Sequence, residues 1–167
     1  MTGYRHVIRF GVIDHMKPSP RYSELMSHLL SEMEIYGSDD DIPVGALIVD
    51  ENYQIISKAF NCRIKNNDPT GHAEIEAIRL AGNKVKNWRL DDFTLIVTLE
   101  PCLMCTGAIL QSRLKKVVFG APDTKTGSLI SRSNLQITSW PEIIPGVMEK
   151  ECSILLSNWF SKKRLNR

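Results

Sequence analysis

The stretch from Phe93 to Gly120 constrains the fold more than any other part of the chain. It reads FTLIVTL, then EPCLMCTGAILQSRL, then KKVVFG. The first block is an apolar run of strand length, rich enough in branched residues to be buried on both faces. The second predicts a helix from about Cys102 to Ser112, with Pro101 suited to the first helical position. The third is another strand. Strand, helix, strand at this spacing is a crossover unit whose two strands run parallel. In open sheets of this class chemistry collects at the carboxyl ends of the strands, which is where Cys102 and Cys105 fall.

Cys102 and Cys105 are three apart, so on a helix they share one face. A helix N-terminus also favours thiolates, the form that binds metals. About thirty residues earlier the string GHAEIEA carries His72 and Glu74. Two residues apart, they diverge on a mid-helix and converge only at a helix start, and the DPTG turn before His72 puts them there. One imidazole and two thiolates make three zinc ligands and leave a tetrahedral site open for water, the catalytic arrangement. Glu74 is then free to move protons. Read apart, each half says less. A lone CxxC fits a redox pair or half of a structural zinc knuckle, and a lone His72 fits a capping or core histidine.

At 167 residues, 43% apolar and 24% charged, the chain suits one compact globular domain. Of its four cysteines, Cys62 and Cys152 read as unpaired thiols, which points to a reducing, cytoplasmic location. Arg5, Arg9 and Asp14 interrupt the N-terminal apolar positions before a signal-peptide core or a membrane span can form. Residues 1–19 lack a period and end in KPSPR, so they read as an extension, with Met16 an alternative start, ahead of a domain over 20–167. A net charge of +2 decides nothing about nucleic acid, but its distribution is informative. Lys162, Lys163, Arg164 and Arg167 follow Trp159 and Phe160 directly, a pattern that can neutralise phosphates while a ring stacks on an unpaired base. The same run also suits a solvated helix end whose cations offset the dipole.

Elsewhere, Ser19 and Pro20 start a helix whose core stripe, Met26, Leu29, Leu30 and Met33, runs up to Gly37. After an acidic turn at 39–41, VGALIVD and IISKAF read as antiparallel strands joined by ENYQ, and 61–70 as a polar loop. The His72 helix runs to about Ala81, where Gly82 and Asn83 stop it. Residues 123–140 read mostly as loop, EIIPGV as a short edge strand, and Cys152, Leu155, Leu156 and Trp159 as the stripe of a closing helix. The expected architecture is α/β: a mixed sheet of about five strands sandwiched between helices.

The joint pattern of His-x-Glu and Pro-Cys-x-x-Cys is that of zinc nucleobase deaminases. With DIPVGALIVD, NDPTGHAEIEAIR, KKVVFGAPDTKTG and the tail ECSILLSNWFSKKR, the chain resembles bacterial-type tRNA-specific adenosine deaminases of the cytidine deaminase-like superfamily, from about Met26 to Arg164. The resemblance implies one zinc per subunit on His72, Cys102 and Cys105, with Glu74 catalytic. It implies hydrolysis of adenosine to inosine at the wobble position of a tRNA anticodon stem-loop, an arginine tRNA, by a cytoplasmic homodimer. Asn61, eleven residues before His72, then hydrogen-bonds the target base; its own chemistry equally fits the cap of a strand-to-loop turn. Asp123 and Lys125, with Phe160, Lys163 and Arg164, are the candidate RNA contacts, and a plain surface turn explains the first two as well. Met104, Ile109 and Leu110 suit either a partner or the core.

Gly71, Cys62 and Pro122 depart from the usual family pattern, all away from the metal and Glu74. DPTxHAE and EPCxMC also occur in guanine and cytosine deaminases, so a deaminase of a free base or nucleoside is the alternative reading. A non-catalytic RNA-binding subunit has no use for Glu74. A redox protein predicts a reversible disulfide between Cys102 and Cys105 and no metal.

Overall fold

The computed structural model of the chain describes residues 19–36, 40–131 and 141–165. The expected extension up to residue 18, residues 132–140 of the expected loop, and Arg167 lie outside them. In chain order the elements are α1 (Pro20–Tyr36), β1 (Gly45–Val49), β2 (Ile55–Phe60), α2 (Arg63–Asn66), α3 (Ala73–Val85), β3 (Thr94–Leu99), α4 (Leu103–Gln111), β4 (Lys116–Ala121), β5 (Glu142–Ile144) and α5 (Glu149–Leu165). The five strands form one sheet in the order β2-β1-β3-β4-β5. β1 is antiparallel to both neighbours, and β3, β4 and β5 are mutually parallel. This is the mixed, helix-flanked sheet expected from the sequence.

Alternation along the strands sorts the core into two layers. Ala46, Ile48, Leu95, Val97, Val117 and Phe119 pack with Ala73, Ala77 and Ala81 of α3 and Ile109 of α4. Leu47, Val49, Ile96 and Val118 face the other way, against Met26, Leu29 and Met33 of α1 and Cys152 of α5. Each of these Val, Leu, Ile, Phe and Met side chains contributes about 1.5–3 kcal/mol on burial, so the sheet is a stiff base for what its loops carry. β5 sits at the edge, and Lys116 of β4 pairs with Glu142 of β5 at 3.1 Å.

Three local expectations are corrected. α3 runs through Gly82 and Asn83 to Val85, because a helical glycine costs only about 1 kcal/mol and Val85 packs against the same core as Ala81 one turn earlier. The chain turns instead at Lys86, which is left-handed (φ 56°). The loop after Asn61 contains α2, whose first amides, Ile64 and Lys65, are held by the buried Asp41 carboxylate at 2.9 and 3.2 Å. Pro101 lies one residue ahead of the helix cap and not in the first helical position: Cys102 is the N-cap, extended at φ −73° and ψ 173°.

β1 runs opposite to β2, β3, β4 and β5, so the carboxyl ends of those four strands share one edge of the sheet. Asn61 follows β2, Glu100 to Cys102 follow β3, and Asp123 follows β4. The site is built on that edge.

Candidate active site

Two helix starts meet there. His72 is the N-cap of α3 and Cys102 the N-cap of α4; both are extended, and neither side chain makes a capping hydrogen bond. Their carbonyls take up the usual cap role, accepting from Glu76 N–H at 3.0 Å and Thr106 N–H at 2.8 Å. The imidazole and thiol are left free to face each other. Cys105, in the first turn of α4, completes the group and is fully buried. His72 Nδ1 lies 3.7 Å from Cys102 Sγ and 3.5 Å from Cys105 Sγ, and the two sulfurs are 3.7 Å apart.

These distances test the fit of a metal. Zinc bonds of about 2.3 Å to sulfur and about 2.0–2.1 Å to nitrogen at tetrahedral angles put the sulfurs about 3.8 Å apart, and the nitrogen about 3.6 Å from each. The three donors already have those edges. Their electrostatics agree. The Cys105 thiol, the His72 ring and a helix N-terminus hold the Cys102 thiol down to about 4. The Cys102 sulfur beside them raises both the Cys105 thiol and the His72 imidazole above their ordinary values. Three donors pulling on shared protons is the situation a divalent cation resolves. Cys62 and Cys152 are unpaired, as expected.

Glu74 is the second residue of α3, only 3% exposed, and burial pushes its carboxyl above the usual range. Cys105 and His72 are among its electrostatic partners, so it lies beside the donors without being one of the three ligands. A buried carboxyl with a raised pKa, next to a metal site, is suited to take and return a proton near neutral pH.

Asn61 is where the sequence put it, and its side chain is already engaged. Its Oδ1 accepts from Ala73 N–H at 2.9 Å and its Nδ2 donates to Ile42 C=O at 3.0 Å. The first amide of α3 is therefore capped by Asn61 in place of His72. One amide hydrogen and one acceptor site on Asn61 remain. Next to it, two departures from the family pattern meet. A Cβ on Gly71 would lie 3.1 Å from Cys62 Sγ and 3.2 Å from Arg63 N, so the thiol occupies space that an alanine needs.

Sequence reasoning missed α2 and its exposed Arg63 and Lys65, because a four-residue helix carries no period. Its cap, Asp41, comes from more than twenty residues upstream, so no local signal marks it. Arg63 is close enough to His72 for its charge to oppose protonation of the ring.

The remaining candidates stand further out. The Asp123 carboxylate accepts from Lys125 N–H at 2.9 Å, Thr126 N–H at 3.1 Å and the Thr126 hydroxyl, so it builds the turn that displays the exposed Lys125. On α5, Phe160 is exposed and packs edge-on to Trp159. Lys163 donates to Asp40 at 2.9 Å and lies over the Trp159 ring, and Arg164 donates to Ser161 Oγ at 3.1 Å. None of these contacts reaches a metal donor. Lys163 meets Asp40, the neighbour of the Asp41 that caps α2. Ile109 is core, while Met104 and Leu110 are half-buried. A groove of about 530 Å³ beside Trp88 is lined by the last turns of α3, from Ile78 to Asn83, and by Lys86 and Asn87 after it, and holds none of the donors.

Residues 19–121 match the family described as the cytidine and deoxycytidylate deaminase zinc-binding region, and the chain belongs to that family of zinc-dependent deaminases. His72, Cys102 and Cys105 are its zinc site. Within it the chain is a member of the tRNA-specific adenosine deaminases: it is 48% identical over 128 residues to the tRNA-specific adenosine deaminase of Haemophilus influenzae, covering 74% of each chain. It also superposes, with a TM-score of 0.74 and 34% identity, on a chain solved in a study of A-to-I editing by tRNA:A34 deaminases at the wobble position of transfer RNA. That match covers 80% of this chain and 99% of the other. A guanine deaminase from Nitrosomonas europaea shares the fold at 19% identity, with a TM-score of 0.69 over 87% of this chain and 85% of the other.

Proposed function

We propose that the protein hydrolyses adenosine to inosine at the wobble position of a tRNA anticodon, in the cytoplasm and as a homodimer. The observation that carries the chemistry is the buried Glu74 beside three donors already spaced for zinc. The substrate is supported by the likeness to tRNA-specific adenosine deaminases over three-quarters of the chain.

Zinc held by His72, Cys102 and Cys105 supplies a Lewis acid that brings the pKa of a water toward neutrality. Glu74 takes a proton from the attacking water as its oxygen bonds to carbon 6, and passes it to the ring nitrogen beside that carbon. A second transfer through Glu74 carries the remaining hydroxyl proton to the amine, so that the carbon–nitrogen bond breaks, ammonia leaves and carbon 6 becomes the carbonyl of inosine. Burial raises the Glu74 carboxyl above its ordinary value, which favours its holding a proton between the two transfers. Asn61 offers its remaining donor and acceptor to the purine edge while its other contacts hold it still. An anticodon loop suits the pocket, because its bases can be splayed out at lower cost than those of a duplex. Lys125, Phe160, Lys163 and Arg164 contact the RNA in this reading, with Asp123 shaping the turn that presents Lys125. Arg63 and Lys65 join them as phosphate contacts close to the site. Residues 20–167 form the deaminase domain, and the residues before them are an extension.

The test offers the zinc-loaded protein an arginine tRNA anticodon stem-loop with a wobble adenosine and, separately, free guanine. Inosine from the RNA and no ammonia from guanine is the expected result. Ammonia from guanine with no inosine overturns the substrate while keeping the chemistry. No helix among the described residues is long and apolar enough to cross a membrane.

A further inference from the structure

One buried carboxylate joins the metal-ligand loop to the segment that follows β4. Glu100 stands between the end of β3 and Pro101 and is 2% exposed. Its Oε1 accepts from Ile130 N–H at 2.8 Å and Ser131 N–H at 2.9 Å. Its Oε2 accepts from Asp123 N–H at 3.0 Å and from the Ser131 hydroxyl. Four donors meet the four acceptor positions of one carboxylate, so its charge is stabilised by hydrogen bonds. Asp123 and Ser131 are also the two ends of one loop, and Glu100 therefore gathers both.

The middle of that loop is fastened to the residues after Glu100. Gly127 pairs with Cys102 in an isolated β-bridge, Ser128 N–H donates to Pro101 C=O at 3.0 Å, and Ser128 Oγ meets Thr106 Oγ1 of α4 at 2.8 Å. The fit is close. A Cβ on Gly127 would lie 2.5 Å from the Glu100 carboxyl carbon and 2.5 Å from Asp123 C=O, so only glycine lets the loop pass. The loop thus takes its position from the backbone around a zinc ligand, while it exposes Lys125 and Ile130 at its outer side.

We propose that Glu100 is a positioning residue for substrate: by holding both ends of the 123–131 loop in register with Cys102, it sets the loop against which the substrate binds and so governs affinity more than turnover. The inference deepens the proposed function and rests on it for the identity of the substrate. A glutamine cannot replace the carboxylate, because its NH₂ would face donors already aimed at an oxygen.

The experiment compares zinc-loaded wild type, Glu100→Gln and Ser131→Ala in three readouts: zinc content, hydrogen exchange at residues 123–131, and kcat and KM on whichever of stem-loop RNA or guanine the wild type turns over. Removing one partner from buried, charge-assisted bonds predicts a KM raised about 10- to 100-fold for Glu100→Gln, with a smaller change in kcat. Zinc content stays at one per chain, and the amides of Asp123, Ile130 and Ser131 exchange faster. Ser131→Ala, which removes one hydroxyl, shifts KM in the same direction by less and serves if Glu100→Gln does not fold. A fall in kcat or zinc content at unchanged KM overturns the proposal, as does unchanged exchange at the three amides. Wild-type protein that deaminates guanine and not RNA overturns the RNA reading alone, since exchange and KM still report on Glu100.

Discussion

The two regions expected to carry function differ in how tightly the fold determines them. At the metal end the chemical groups stand on helix starts over the buried core. Two helix caps meet, an asparagine from a third segment caps one of them, and Glu74 is buried behind. At the other end, Lys162, Lys163 and Arg164 occupy the last turn of α5, and Phe160 is 43% exposed. The groups around the metal donors are thus built into the core, whereas those of the tail stand on an exposed helix end.

Cys105→Ala should have the largest effect and sharpen the contrast most. It removes a buried ligand, so zinc content by atomic absorption and activity should both fall to background. Glu74→Ala comes next: zinc stays at one per chain while turnover drops about 10²- to 10⁴-fold, the range for lost general acid–base catalysis. Asn61→Ala leaves the first amide of α3 and the Ile42 carbonyl without their partners, and denaturant unfolding should show a loss of about 1–3 kcal/mol together with a raised KM. Lys163→Ala should do least. Its bond to Asp40 is surface-exposed, so stability changes by less than about 1 kcal/mol, and the salt dependence of stem-loop binding loses about 0.7–0.9 from its slope if Lys163 meets a phosphate. An effect of Lys163→Ala as large as that of Asn61→Ala breaks the comparison.

The same contrast explains what could be read from the sequence. The zinc donors were legible because catalytic zinc dictates residue types and spacings, and the place of Glu74 beside them because a helix start is marked by its turn. The sheet was legible because β1, β3 and β4 are buried on both faces and read as apolar runs. What escaped reading was set by tertiary partners. α2 exists because Asp41, more than twenty residues upstream, caps it. α3 passes Gly82 because Val85 has a core to reach, a preference no local propensity encodes. Glu100 carries no local signal of its role, since its four donors come from residues 123–131. Asp123 read as an RNA contact or, nearly as well, as part of a surface turn, and its hydrogen bonds make the turn.

The most direct measurement is single-turnover inosine formation in the anticodon stem-loop, with wild type and Glu74→Ala both verified to hold one zinc per chain. The account predicts inosine from the wild type and a rate at least about 10²-fold lower from the variant. A zinc-loaded Glu74→Ala protein that forms inosine at the wild-type rate contradicts it, because the proton transfers would then belong to some other group.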